Sequence, residues 1–296
     1  MEPCKYLREA ENIMARDRVP TGITGLDTML SGGLPFGKSY LLSGPPGTGK
    51  TTFAAQFIRE GLERGENGIF ISIDEKPSHM IEDLESLGWD LRTPSEEGRL
   101  TLLDVSPYFN WVRYSKANAV DANEVLQDLS KQVRRINAKR VVIDPLVPLV
   151  LHRDRMHDVQ EYIRKLIFGI DDNLGVTTLM TTHPGPWSFS SGDNGIEEFM
   201  VSGVITARLT KLDTGRHVRT MFVRKMRGTP TDLVEYTYAI EQDKGIVIGE
   251  PLFEAQRRAA REARDIGLEP SSSFGSQASQ PNGHVESAVV ELPRVY

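Results

Sequence analysis

A single cysteine, Cys4, stands among the 296 residues. The chain can therefore form no internal disulfide and build no cysteine-based zinc site, and a reducing, cytoplasmic setting is expected. There is no run of about 18 apolar residues, the length from which a membrane-crossing helix is read, so no membrane insertion is expected. The opening stretch Met1-Glu2-Pro3-Cys4-Lys5 holds no apolar core of a secretory signal. Positive charge is not in excess. The net charge of −6 argues against a protein that binds nucleic acid through bulk charge. Histidine offers no metal cluster, since His152 and His157 are separated by about 140° around a helix and share no face. Apolar residues make up 39%, somewhat low for a globular chain, so part of it is expected not to pack.

What is present falls into three stretches. Residues 1–17 read as an N-terminal arm, weakly amphipathic from Leu7 to Met14 and available to a neighbouring subunit. Residues 18–252 alternate apolar runs with helical patterns. Ser39–Ser43, Gly68–Ile73, Leu100–Asp104, Arg140–Asp144 and Val176–Thr181 read as strands. Thr52–Leu62, Met80–Leu87, Val125–Ile136 and Val159–Ile170 read as helices. That alternation predicts βαβ units, a mostly parallel sheet and right-handed crossovers. Gly203–Leu209, Arg216–Arg224 and Glu235–Ile240 have hairpin character and predict an antiparallel edge. Residues 253–296 read as a charged helix, Glu254–Arg264, with little apolar face, followed by a polar, flexible tail.

Gly44-Pro45-Pro46-Gly47-Thr48-Gly49-Lys50-Thr51 matches the pattern G-x-x-x-x-G-K-[ST], with a strand before it and a helix, beginning around Thr52, after it. Glycines let backbone N–H groups curl around a polyphosphate in conformations a Cβ would forbid. The helix that follows offers its unpaired N–H groups to the anion. In such a loop Lys50 reaches the β- and γ-phosphates and the Thr51 hydroxyl ligates Mg²⁺. Asp144 ends an apolar strand, the position of a metal-orienting aspartate in P-loop proteins; a turn aspartate before Pro145 is the alternative. Asp74 and Glu75 close the second strand, and parallel strands open their C-terminal ends on one crevice. Glu75 is the expected base that activates water, with Asp74 beside it; two solvated loop acids are the alternative.

From Arg18 onward these residues resemble the ATPase domain of the KaiC family within the RecA superfamily. The resemblance rests on Thr24-Gly25-Leu26-Asp27, Ser31-Gly32-Gly33-Leu34-Pro35 and the phosphate loop. It continues in Asp74-Glu75-Lys76-Pro77, Gly88-Trp89-Asp90-Leu91, Leu103-Asp104-Val105-Ser106-Pro107 and Val142-Ile143-Asp144-Pro145-Leu146. Thr181-Thr182-His183, Gly195-Ile196-Glu197-Glu198-Phe199 and Lys225-Met226-Arg227-Gly228-Thr229 complete it, in matching order over residues 18–250. It implies a RecA-like P-loop core, ATP and Mg²⁺ as ligands, and a hexameric ring with ATP between neighbouring subunits. It further implies that Lys225 and Arg227 reach the neighbour's γ-phosphate, that Ser86 contacts the base or sugar, and that Thr181 and Thr182 sense phosphate. The family's acid pair is two glutamates, and here the first is Asp74. The family often carries Glu where His183 stands. One such domain is present where the clock protein that names the family has two, and no counterpart of its autophosphorylation site is found.

The resemblance implies a slow ATPase that signals to a protein partner, with segment 107–123 where the family carries a partner-binding loop. Two rivals stay open. One is a RadA-like, nucleic-acid-dependent ATPase, resting on the shared core and on Lys131, Arg134, Arg135, Lys139 and Arg140, which otherwise read as a solvated or intersubunit face. The other is a nucleotide-gated assembly scaffold with negligible turnover.

Overall fold

The computed structural model describes residues 18–104, 121–146, 156–183 and 197–265. The expected arm, most of segment 107–123 and the polar tail lie outside the described residues. Strands β3 (Ser39–Ser43), β4 (Asn67–Ser72), β5 (Leu100–Asp104), β6 (Ala138–Asp144) and β7 (Thr177–Thr182) pair in parallel. Strand β8 (Gly203–Lys211) runs parallel to β3. Strands β9 (His217–Met226), β10 (Tyr236–Glu241) and β11 (Gly245–Pro251) then add on antiparallel to one another and to β8. The order across the nine strands is β11-β10-β9-β8-β3-β7-β6-β4-β5. A two-residue pair, β1 (Arg18–Val19) with β2 (Leu34–Pro35), stands apart. Helices α1 (Thr24–Met29), α2 (Lys50–Glu63), α3 (Pro77–Ser86), α4 (Arg92–Glu96), α5 (Ala122–Ile136), α6 (Met156–Asn173), α7 (Glu197–Met200) and α8 (Leu252–Asp265) complete the described elements.

Both faces of the parallel strands are covered, which is why they read as continuous apolar runs rather than as alternation. The alternation is still present in where each residue goes. Tyr40, Leu42, Phe70, Val142 and Leu179 pack on one side, with Phe53, Phe57 and Ile58 of α2. Leu41, Ile69, Ile71, Val141, Ile143 and Met180 pack on the other, with Leu129 and Val133 of α5 and Leu166 and Ile170 of α6. Each fully buried side chain of this size contributes roughly 1.5–3 kcal/mol. The period of two also sets chemistry. Asp144 and Thr181 lie two residues beyond Val142 and Leu179, so both face the side of the sheet that carries α2.

The expected strands and long helices appear with shifted ends. Strand β11 and the short helices α1 and α4 were not foreseen; β11 follows a tight turn in which Asp243 and Gly245 take left-handed conformations. Two expectations are corrected. Helix α8 does have a packed face: Ala255, Ala259 and Ala263, one turn apart, are buried against β10 and β11. Alanine was not counted as an apolar stripe, but its small side chain lets the helix approach the sheet closely. Arg140 does not belong to a solvated basic face. It is 1% exposed, donates from Nε to Glu66 at 2.6 Å and from Nη1 to Pro20 O and Phe57 O at 2.7 and 2.8 Å, and stacks on Phe57. Lys131, Arg135 and Lys139 are exposed and bond to Asp128, Gln132 and Asn137 near them in sequence.

Candidate functional site

The phosphate loop links β3 to α2. Gly47 and Gly49 sit at φ of 84° and 81°, values that turn successive N–H groups inward and that suit glycine alone. Gly49 is the N-cap of α2 and no side chain caps the helix, so its first N–H groups face the loop. Lys50 is partly buried; its Nζ donates to Gly44 O at 2.8 Å and Pro45 O at 3.1 Å. Burial lowers its pKa, and the Asp144 charge opposes that shift. Thr48 is buried and donates to Pro45 O at 2.8 Å. Pro46, Thr51 and Thr52 complete the loop and the first turn of α2.

Asp144 is 9% exposed and accepts a hydrogen bond from the Thr181 hydroxyl. Thr181 is thus committed to orienting Asp144, a partner different from the phosphate expected of it. Asp74 and Glu75 follow β4 at the same end of the sheet. Partial burial raises both carboxyl pKa values above the ordinary range. Asp144 adds to both shifts, His183 opposes the one on Asp74, and Asp83 reinforces the one on Glu75 while His79 opposes it. A carboxylate with a raised pKa is a stronger base toward water. The carboxylate of Asp144 and the hydroxyl of Thr51 are hard oxygen donors of the kind Mg²⁺ takes, with phosphate oxygens supplying further ligands. The cradle suits a polyphosphate as well, because the positive φ of Gly47 and Gly49 turns the loop's N–H groups inward.

Four of the expected groups therefore converge: the loop with Lys50, Thr51 at its helix, Asp144, and the Asp74–Glu75 pair. Two do not. Ser86 ends α3, next to the β10–β11 turn, where Asp243 N donates to Leu87 O at 2.8 Å; its own hydroxyl turns back to Glu82 O. Lys225 and Arg227 lie at the opposite end of the sheet. Lys225 pairs with Val204, which pairs with Leu41 in the middle of β3, and Arg227 N donates to Ser202 O, just before β8. The phosphate loop begins three residues further along β3, about 10 Å along the strand and two strands across. The register of β9 slips between its pairs with Val204 and Ile205. That bulge changes the phase of the strand, so Met221 and Val223 point into the core before it and Met226 after it. Lys225 and Arg227 are thereby turned outward. Lys225 Nζ donates to Glu198 O at 2.9 Å and Val201 O at 2.8 Å, and Arg227 donates to Phe199 O at 3.1 Å. Burial and the Arg227 charge lower the Lys225 pKa.

The sequence reading missed the outer wall of the loop. Arg219 of β9 donates to Gly47 O at 2.9 Å, and Tyr238 of β10 donates to Thr48 O. Ile240 lies where a Cβ on Gly49 would fall. No local signal marks these residues; they reach the loop only through the strand order.

Comparison with known proteins fits this geometry. The family model for the KaiC ATPase matches residues 19–252. A UPF0273 protein of Methanopyrus kandleri is 34% identical over 259 residues, 85% of this chain and 100% of that protein. A circadian clock protein KaiC3 of Synechocystis is 32% identical over 78% of this chain but 45% of its own length, so this chain spans about half of that relative. The crystal structure of a KaiC-like protein from Pyrococcus horikoshii aligns with a TM-score of 0.66 at 35% identity, covering 78% of this chain and 98% of that one. The sheet order is that of a RecA-like fold, and the chain belongs to the KaiC family of ATPases.

Proposed function

We propose that the protein binds Mg-ATP in the Gly44–Thr51 loop and hydrolyses it at contacts between copies of itself. The observation that carries this reading is the separation of the site's two halves. Lys50, Asp144 and the Asp74–Glu75 pair stand at the C-terminal ends of the parallel strands, while Lys225 and Arg227 stand beside the N-terminal end of β8. The two cations lie too far away to serve the phosphate of their own chain, and their hydrogen bonds to Glu198, Phe199 and Val201 hold them there. A second copy brings the two ends together.

The surface around the cations suits such a contact. A depression of about 620 Å³ beside Arg227 is walled by Phe36, Phe168, Met200, Lys38 and Asp171. Phe36, Phe168 and Phe199 are 44%, 47% and 68% exposed. Exposed aromatics beside cations are what an interface between subunits uses.

Within the site, backbone N–H groups of the loop and the Lys50 ammonium bind and orient the phosphates. Asp144, held by Thr181, and Thr51 would hold Mg²⁺. Bound there, Mg²⁺ neutralises phosphate charge. Glu75 takes the proton of the attacking water at its carboxylate, with Asp74 beside it. Lys225 and Arg227 of the adjoining copy stabilise the charge that develops on the γ-phosphate. A hexameric ring, and signalling through it to a protein partner, extend the same reading. Light scattering during size exclusion, with ATP, ADP or no nucleotide, together with phosphate release, tests it. ATP-dependent assembly accompanied by turnover supports the proposal; full turnover by a lone protomer refutes it. Assembly without phosphate release would favour the scaffold.

A further inference from the structure

The outward-facing carbonyls of the phosphate loop are held in two different ways. Gly44 O and Pro45 O accept from Lys50 Nζ, and Pro45 O also from Thr48. Gly47 O and Thr48 O accept from Arg219 and Tyr238, which belong to β9 and β10 and lie 172 and 190 residues away. The first set is not constant. A lysine that turns to a phosphate leaves Gly44 O and, in part, Pro45 O. The second set comes from strands outside the loop and does not depend on where Lys50 points.

The second set is also rigidly mounted. Tyr238 is 6% exposed, with its ring in the core, and Thr220, next to Arg219, is fully buried. Tyr236, Thr237 and Tyr238 of β10 pair in register with Met221, Thr220 and Arg219 of β9. Arg219 and Tyr238 are thus directly opposite one another, and each donates to one of two consecutive peptide carbonyls. Ile240, two residues further along β10, presses on Gly49, where a Cβ would come within 2.5 Å of Cδ1. Gly47 O is the only hydrogen-bond partner of the Arg219 side chain among the described residues. Pinning the carbonyls of Gly47 and Thr48 from outside fixes the peptide planes that follow them, and so fixes the inward direction of the N–H groups of Thr48 and Gly49.

We propose that Arg219 and Tyr238 are positioning residues: together they hold the phosphate loop in its anion-binding shape from the antiparallel edge, whether or not Lys50 is engaged with nucleotide. The proposal rests on the reading of the loop as an ATP site. Without the two donors the loop samples conformations in which its N–H groups no longer converge. Nucleotide binding then bears the cost of ordering it. A charged donor lost from a carbonyl weakens binding more than a neutral one.

The test is the affinity of the full-length protein for a fluorescent ADP analogue with Mg²⁺, read beside thermal unfolding with and without nucleotide. Arg219→Ala is expected to weaken binding about tenfold and Tyr238→Phe about threefold. Arg219→Lys, which keeps a charged donor, should recover most of the loss. The unfolding midpoint without nucleotide should stay near wild type for Tyr238→Phe, while its rise on adding nucleotide shrinks. A general structural role would instead lower both midpoints equally and would not be rescued by lysine. Wild-type affinity in Arg219→Ala and Tyr238→Phe overturns this inference alone. Absence of binding by the wild-type protein overturns the ATP reading and this inference with it.

Discussion

The parallel strands β3, β7, β6, β4 and β5 and the antiparallel edge that β8 begins and β9 to β11 extend contribute to the candidate site in different ways. The parallel strands bring their C-terminal ends to one crevice, so Lys50, Asp144, Asp74 and Glu75 converge simply because each ends or follows a strand. The antiparallel strands run in both directions and expose two working ends. One end presents Arg219, Tyr238 and Ile240 to the phosphate loop of the same chain. The other presents Lys225 and Arg227 away from it. Strand β9 carries Arg219 and Lys225, and Arg227 follows its last residue, so one rod touches the loop of its own chain at one end and, on the proposed reading, serves a neighbour's at the other. On the same reading, the groups that act within one chain lie on the parallel strands and the groups that act on a second copy lie at the antiparallel edge.

Substitutions on each side of that divide separate the two roles. Arg227→Ala should lower turnover by about 10³-fold, as loss of a cation supplied in trans does, while leaving nucleotide affinity near wild type; steady-state phosphate release and equilibrium binding report the two. A site complete within one chain would leave its turnover intact. Arg140 lies at the start of β6, where the parallel strands meet α2 and the entry strand β1. Arg140→Ala strips Glu66, Pro20 O and Phe57 O of their donor and opens a cavity, at a cost of about 3 kcal/mol; urea unfolding measures it. A change below about 0.5 kcal/mol would mean that the clasp is not what ties these elements together. Glu75→Gln should slow turnover about 10²-fold at neutral pH with ATP still bound.

The acid limb of the pH profile sharpens the last point. Burial and the neighbouring acids raise the Glu75 pKa above the ordinary carboxylate range. If Glu75 is the base it works only when ionised, so wild-type turnover should fall as pH drops through that raised value and recover above it. Glu75→Gln removes the limb. If Asp74→Asn removes it instead, the base is Asp74.

How legible each region was follows from how local its contacts are. The loop, its flanking strand and helix, Asp144 and the acid pair each sit in a continuous stretch whose pattern carries its own meaning. Strand residues such as Val141-Val142-Ile143 disclose two covered faces without any knowledge of what covers them. Arg140 could not be read correctly, because its neighbours in sequence are exposed and its partner Glu66 is 74 residues away. Arg219 and Tyr238 are ordinary strand residues until β8 and β9 are placed beside β3. The outward turn of Lys225 depends on a bulge that leaves no mark in the composition of β9. Its assignment came from the family resemblance, and its place at the far end of the sheet came from the register.

The claim that the site closes only between copies is tested most directly by mixing two inactive variants, Lys50→Ala, which lacks the loop cation, and Arg227→Ala, which lacks the cation offered to a neighbour. Neither alone should turn over ATP. Mixed at equal amounts and allowed to exchange subunits, they form interfaces in which an intact loop meets an intact Arg227, and random assembly should restore about a quarter of the wild-type rate. A mixture as inactive as its components, with subunit exchange verified, would contradict the account.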